Sequence, residues 1–181
     1  HPYNAYFLLL VAKQYTDSSP EMARHYYDRV VSNYADLTVN GTSVHYNALR
    51  ELVRLTEDPS VRLRHYHEMV DRFADRLDLG ATYYYMARTH EELGEWDQAY
   101  ADYKNFLRYP DTEILGAPHA HEQIQRRVEF YDSSKSWTMD SLDRLVATIK
   151  NALWRQNAQQ LLRYRADANF FAMAWEQEET D

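Results

Sequence analysis

The chain has 181 residues, 45% of them hydrophobic and 27% charged, enough for one globular domain or two small ones; a disordered, collagenous or low-complexity protein is excluded. It carries 28 acidic against 20 basic residues, a net charge of −8, without the basic face of a general nucleic-acid binder, so no nucleic-acid partner is expected. With no cysteine there is no disulfide framework, thiolate nucleophile or Cys-ligated metal. With four Gly and five Pro there are few tight turns, which favours helices over a sandwich or barrel.

The first helix is expected from Tyr6 to Tyr15, with Leu9, Leu10, Ala12 and Tyr15 on its stripe. Its run Phe7 to Ala12 is the longest apolar stretch, far short of the roughly 20 residues that span a bilayer. A second helix follows Ser19-Pro20, an N-cap residue before a Pro at the first helical position, where the missing N–H costs nothing. The pattern then returns. Val44 to Leu55 carries Ala48, Leu49, Leu52 and Val53, and Asp58-Pro59 opens the next helix. Thr82 to Leu93 carries Tyr83, Met86, Ala87, His90 and Leu93; Gly94 ends it, and Trp96, Ala99, Tyr103, Phe106 and Leu107 share one face of the next.

Three second helices therefore align. Tyr27, Tyr66 and Tyr103 are spaced by 39 and 37 residues; each is followed three residues later by Val30, Met69 or Phe106, then by an aromatic (Tyr34, Phe73, Tyr109) and an aspartate (Asp36, Asp75, Asp111). The unit is a helix–turn–helix repeated three times, over 3–36, 44–75 and 82–111.

The third unit resembles a tetratricopeptide repeat through Met86-Ala87, Gly94, Trp96, Ala99, Tyr103, Phe106-Leu107 and Pro110. The first unit matches less fully (Ala12, Tyr15, Ala23, Tyr27, Val30, Ala35), and the second has Arg62 where the small Ala belongs. The resemblance covers residues 3 to 111, about 60% of the chain, and implies an all-α fold, an α-solenoid of such repeats with a long C-terminal helix. In that family the first helix of each pair lines a concave groove that takes a peptide. Carried onto this chain, the groove comprises Tyr6, Leu9, Lys13, Tyr46, Arg50, Tyr84, Arg88 and Glu92. Lys13, Arg50 and Arg88 recur at steps of 37 and 38; a basic ladder flanked by Tyr suits an extended acidic segment or a C-terminal carboxylate. The alternative is that these are solvated helix faces with partners on their own helix. The spacing Ala99, Tyr103, Phe106, Pro110 is also similar to repeats of bacterial envelope lipoproteins, which implies a periplasmic or cell-envelope address, with the cytoplasm as the alternative. A start at His1 reads as a trimmed or processed form, so a missing leader does not argue for the cytoplasm.

Residues 112–138 read as a degenerate helix, His119 to Tyr131, and a polar connector. From Met139, with Thr138 as N-cap, a stripe from Leu142 to Trp175 advances 33 residues in nine steps; with no Pro or Gly to interrupt it, one helix over 139–178, about 50 Å long, is expected as a capping or interaction element.

Chemistry-bearing clusters are weak. His65 and His67, like His119 and His121, stand two apart, and on a helix such pairs point roughly 200° apart, so neither chelates one ion. Glu91, Glu92 and Glu95 lie at a helix end and the following turn, where carboxylates are solvated rather than set in a catalytic cleft. The sequence has no nucleophile elbow, P-loop or dinucleotide fingerprint. The expected function is a non-enzymatic protein–protein interaction scaffold without cofactor or metal. The alternative is a structural subunit of an envelope complex, self-associating through the last helix.

Overall fold

The structure is a computed structural model and describes His1, residues 3–135 and residues 138–165. The described part is mostly helical and divides into two units, residues 1–118 and 119–181.

The first unit holds six α-helices: α1 (Asn4–Tyr15), α2 (Pro20–Asn33), α3 (Val44–Leu55), α4 (Pro59–Phe73), α5 (Leu79–Leu93) and α6 (Trp96–Phe106). Each packs on the next, and α1 also touches α3. The starts of α3, α4 and α5 are set by side chains that accept the free N–H groups of the first turn. Ser43 Oγ accepts from Tyr46 N (2.9 Å), Asp58 Oδ1 from Ser60 N (2.8 Å) and Val61 N (3.2 Å), and Asp78 Oδ1 from Ala81 N (2.9 Å). Ser19 stands at the N-cap of α2 as expected, but its side chain caps nothing, and Pro20 alone marks that start. Gly94 closes α5 in the left-handed region (φ 74°), its N–H turned back onto the carbonyls of His90 and Glu91.

The core follows the repeat. Ala23, Tyr27 and Val30 of α2 are fully buried, and so are Ala99, Tyr103 and Phe106 of α6. The alanines sit where a larger side chain would hold two helices apart; the tyrosines fill the space beside them. Tyr27 keeps its hydroxyl satisfied against Thr16 Oγ1 at 3.1 Å. The middle copy differs: Arg62 replaces the alanine, and its guanidinium turns out to Glu92 Oε2 of α5 at 2.6 Å. There Tyr66 is only half-buried, and Leu63, Met69 and Phe73 carry the burial instead.

Two expectations for α1 and α6 need correction. On α1 the buried stripe is Ala5, Leu9 and Ala12, whereas Leu10 and Tyr15 face solvent. On α6 Trp96 heads the sequence stripe yet is exposed; it is the first residue of the helix.

The joints between repeats were not readable from periodicity. Between α2 and α3 the chain forms a two-residue antiparallel hairpin, β1 (Thr38–Val39) with β2 (Thr42–Ser43), turned by Asn40 (φ 50°) and Gly41 (φ 77°). Positive φ at both turn residues is what the right-handed twist of a tight hairpin demands. Between α4 and α5 there is instead a 3₁₀ turn, Ala74–Arg76.

The second unit contains α7 (Ala120–Asp132), α8 (Leu142–Trp154) and α9 (Ala158–Arg163), with α8 packed on α9. The single helix expected from Met139 is therefore two in its described part. Gln156 takes φ 52°, outside the helical region, and Asn157 Oδ1 accepts from Gln160 N (3.0 Å) to start a new helix. The N-cap of α8 is Ser141, not Thr138, whose hydroxyl donates back to Lys135 O. Residues 166–178 of that expectation lie outside the described residues. No helix among the described residues is long and apolar enough to cross a membrane.

Candidate partner-binding surface

The eight groove residues sort into three groups. Lys13 of α1, Arg50 of α3 and Arg88 of α5 are all exposed. Lys13 and Arg50 have no ion-pair partner among the described residues; Arg88 Nε lies 3.6 Å from Glu91 of its own helix. The three cations are thus solvated, and two have no ion-pair partner among the described residues. Each long side chain can move several ångströms toward a carboxylate at little cost, and Arg can grip it with two parallel N–H donors.

The tyrosines form the second group. Tyr6 is half-buried against the core. Tyr46 lies edge-on to Phe73 (5.5 Å between ring centres), and its hydroxyl donates to Arg76 O at 3.1 Å. Tyr84 packs edge-on to Tyr103 and Phe106, with centres 6.2 and 5.3 Å away. All three are partly buried and held by intramolecular contacts.

Leu9 and Glu92 form the third group. Leu9 is 2% exposed and forms part of the core. Helix α1 is simply rotated so that positions 5, 9 and 12 face inward. Glu92 is exposed but committed to Arg62, tying α5 to α4 in place of the missing alanine contact.

Other clusters resolve into separate small networks. The acidic triplet is dispersed: Glu91 pairs with Arg88, Glu92 with Arg62, and Glu95 Oε2 with His90 Nδ1 at 2.7 Å. His65 is buried and His67 exposed, so the pair diverges as helical geometry requires. No group of three or more metal-ligating side chains occurs among the described residues.

Two polar networks escaped the sequence reading. Asp36, one of three aspartates matched by the repeat, accepts from Ser43 Oγ (2.7 Å) and from His45 N (3.0 Å), and Arg72 Nη2 lies 2.7 Å from His45 Nδ1. Desolvation pushes its pKa up, but the two hydrogen bonds together with the charges of His45 and Arg72 outweigh it, and the carboxyl stays below its ordinary range. All three aspartates are exposed, but Asp36 alone among them accepts this pair of hydrogen bonds. The other network joins α5 and α6. Asp102 is buried, its Oδ2 lies 3.5 Å from His90 Nε2 without a hydrogen bond, and burial raises its pKa against the pull of His90 and His67. The signal for Asp102 was available: it falls between Ala99, Tyr103 and Phe106 on the inward face of α6, where a charged residue is out of place.

A further concavity, a cleft of about 300 Å³, lies between α2 and α4 over Leu52. Arg24 and Arg64 share its wall with Glu21 and Asp28, so it has no net preference for either charge. Its one buried ionisable group is His65, whose pKa is lowered by burial, with Asp28 opposing.

Compared with models of protein families, with curated proteins and with solved structures, the chain matches none.

Proposed function

We propose that this chain is a non-enzymatic protein–protein interaction scaffold, a solenoid of tetratricopeptide-like repeats that holds an extended acidic segment or a C-terminal carboxylate along Lys13, Arg50 and Arg88. The observation that carries this reading is the recurrence of an exposed cation on the first helix of each of three pairs, two of them without an ion-pair partner, on a chain whose net charge is −8. On an acidic protein, three basic side chains in periodic register provide an attractive track for a ligand that the rest of the surface repels. Repeat arrays suit such a task because each unit contacts only its neighbours, which leaves an extended face free.

The test is a pull-down read by mass spectrometry. The bait is either the unaltered protein or a Lys13→Glu, Arg50→Glu, Arg88→Glu triple variant whose helicity is checked by circular dichroism. All three positions are exposed, so the fold should survive. Partners recovered by the first bait and lost with the second support the ladder. An identical set from both baits overturns it.

A further inference from the structure

His45 lies in the first turn of α3 and is only 4% exposed. Three elements meet at it. Its backbone N–H donates to Asp36 Oδ1 of the loop after α2, at 3.0 Å, and its ring lies against Arg72 in the last turn of α4. One imidazole therefore joins the start of α3 to the end of α4.

The chemistry of that contact fixes where the ring carries its hydrogen. Arg72 Nη2 lies 2.7 Å from His45 Nδ1. A guanidinium can only donate, and it stays charged at any pH the fold survives, so Nδ1 must offer its lone pair. The imidazole is then neutral, with its hydrogen on Nε2. That nitrogen is buried and has no hydrogen-bond partner among the described residues. A further proton can go only to Nδ1, the atom that Arg72 already faces. It would set a donor against a donor and place two positive charges 2.7 Å apart. The ring has no route to water, because it is buried and its backbone is pinned by Asp36. Arg72 has one: its side chain is 35% exposed and is already paired with Glu68 of its own helix. Arg72 is the side that yields.

The surrounding charges agree with this geometry. Burial, assisted by Arg72, holds the pKa of His45 below its ordinary 6.5, against the pull of Asp36, the Tyr34 backbone and Glu68. The unfolded chain takes up the proton first as pH falls. The stability supplied by the neutral ring is complete above 6.5 and is lost as pH drops below that value through the lower, folded one.

We propose that His45 is a proton-operated latch between α3 and α4: neutral, it accepts from Arg72 and holds the two helix ends together; protonated, it expels Arg72 and releases them. The latch uses none of the residues of the basic ladder and stands or falls without it.

The test uses the full chain and two variants. His45→Asn keeps an oxygen acceptor in place of Nδ1 and cannot titrate. Arg72→Gln removes the cation at a partly exposed position, where the fold should survive. Long-range proton–nitrogen NMR spectra are recorded from about pH 7.5 to about pH 5.5. Of the eight histidines, the His45 signals are those missing from His45→Asn. At the upper pH they should show a bare Nδ1 and a protonated Nε2. Their titration midpoint should lie below 6.5, and Arg72→Gln should move it upward. Amide exchange then reads the latch itself. Over the same interval, protection in the first turn of α3 and the last turn of α4 should fall several-fold in the unaltered protein and hold in His45→Asn. If His45→Asn lowers the helicity seen by circular dichroism, the Arg72→Gln titration decides instead. Four results overturn the proposal: a hydrogen on Nδ1 at the upper pH, a midpoint at or above 6.5, a midpoint that Arg72→Gln leaves in place, or the same loss of protection in a folded His45→Asn.

Discussion

The joint between α2 and α3 and the joint between α4 and α5 occupy the same place in successive repeats, yet they are built differently. The first turns through a β-hairpin at Asn40-Gly41 and is clamped by Asp36, which holds Ser43 and the start of α3. The second turns through a 3₁₀ segment and is clamped by Asp78, which caps α5 and also accepts from Thr112 Oγ1 at 3.1 Å. Gly80 makes that second joint possible: a Cβ there would lie 2.1 Å from Thr112 Oγ1 and 2.8 Å from Tyr109 Cβ. The helices are specified by what they bury, which repeats; the joints are specified by local hydrogen bonding, which can be solved in more than one way.

The largest expected effect contrasts buried and half-buried copies of one landmark. Tyr27→Ala removes a fully buried ring and should cost about 3–5 kcal/mol, read from the urea midpoint. Tyr66→Ala, at a half-buried site, should cost about 1–3 kcal/mol. Equal losses would mean that the middle repeat is packed like its neighbours.

Next come the two glycines. Gly80→Ala forces Thr112 and Tyr109 away and should cost about 2–3 kcal/mol. Gly41→Ala meets no neighbouring atom and should cost only about 1 kcal/mol, from its positive φ. The reverse order in thermal melts would contradict the description of the joints.

The aspartates separate further. Asp36→Ala, which removes two hydrogen bonds, should cost about 1–2 kcal/mol at neutral pH, whereas Asp75→Ala, which removes only a 4.0 Å contact with Arg76 Nε, should cost under about 0.5 kcal/mol. Because the folded-state pKa of Asp36 lies below its ordinary 3.8, its contribution is complete above that value and is lost as pH falls through the lower, folded one. The difference between Asp36→Ala and the unaltered protein should therefore shrink in acid.

Asp102 has the opposite sign. Its folded-state pKa is raised, so stability is highest while it is protonated and declines as pH rises from 3.8 through the folded value. Asp102→Asn should gain on the unaltered protein over that interval, by a small margin visible in melts taken across pH. A constant offset would place the carboxyl in an environment as favourable to charge as water.

These contrasts also mark what was legible beforehand. The six helices of the first unit could be read because Pro20, Pro59 and Gly94 punctuate a strong 3.6-residue pattern, and because Ala23–Tyr27–Val30 and Ala99–Tyr103–Phe106 are the same packing solution written twice. Arg62 was visible as an anomaly, and Glu92 resolves it. The hairpin was not legible, since two-residue strands carry no periodicity. Nor was the break at Gln156, since it uses neither Pro nor Gly and the apolar spacing passes straight through it. Of the candidate surface, the register of Lys13, Arg50 and Arg88 is visible in the sequence, and the structure leaves all three exposed. The burial of Leu9 was not legible, because a helix that is apolar all round does not disclose which side faces inward.

The most direct test of the scaffold reading is an array of twelve-residue peptides, acidic, neutral and basic, each with a free or an amidated C-terminus. It is probed with the unaltered protein and with the Lys13→Glu, Arg50→Glu, Arg88→Glu variant. Binding confined to acidic or free-carboxylate peptides and abolished in the variant is the expected result. Binding without charge preference, or binding that the variant retains, would contradict it.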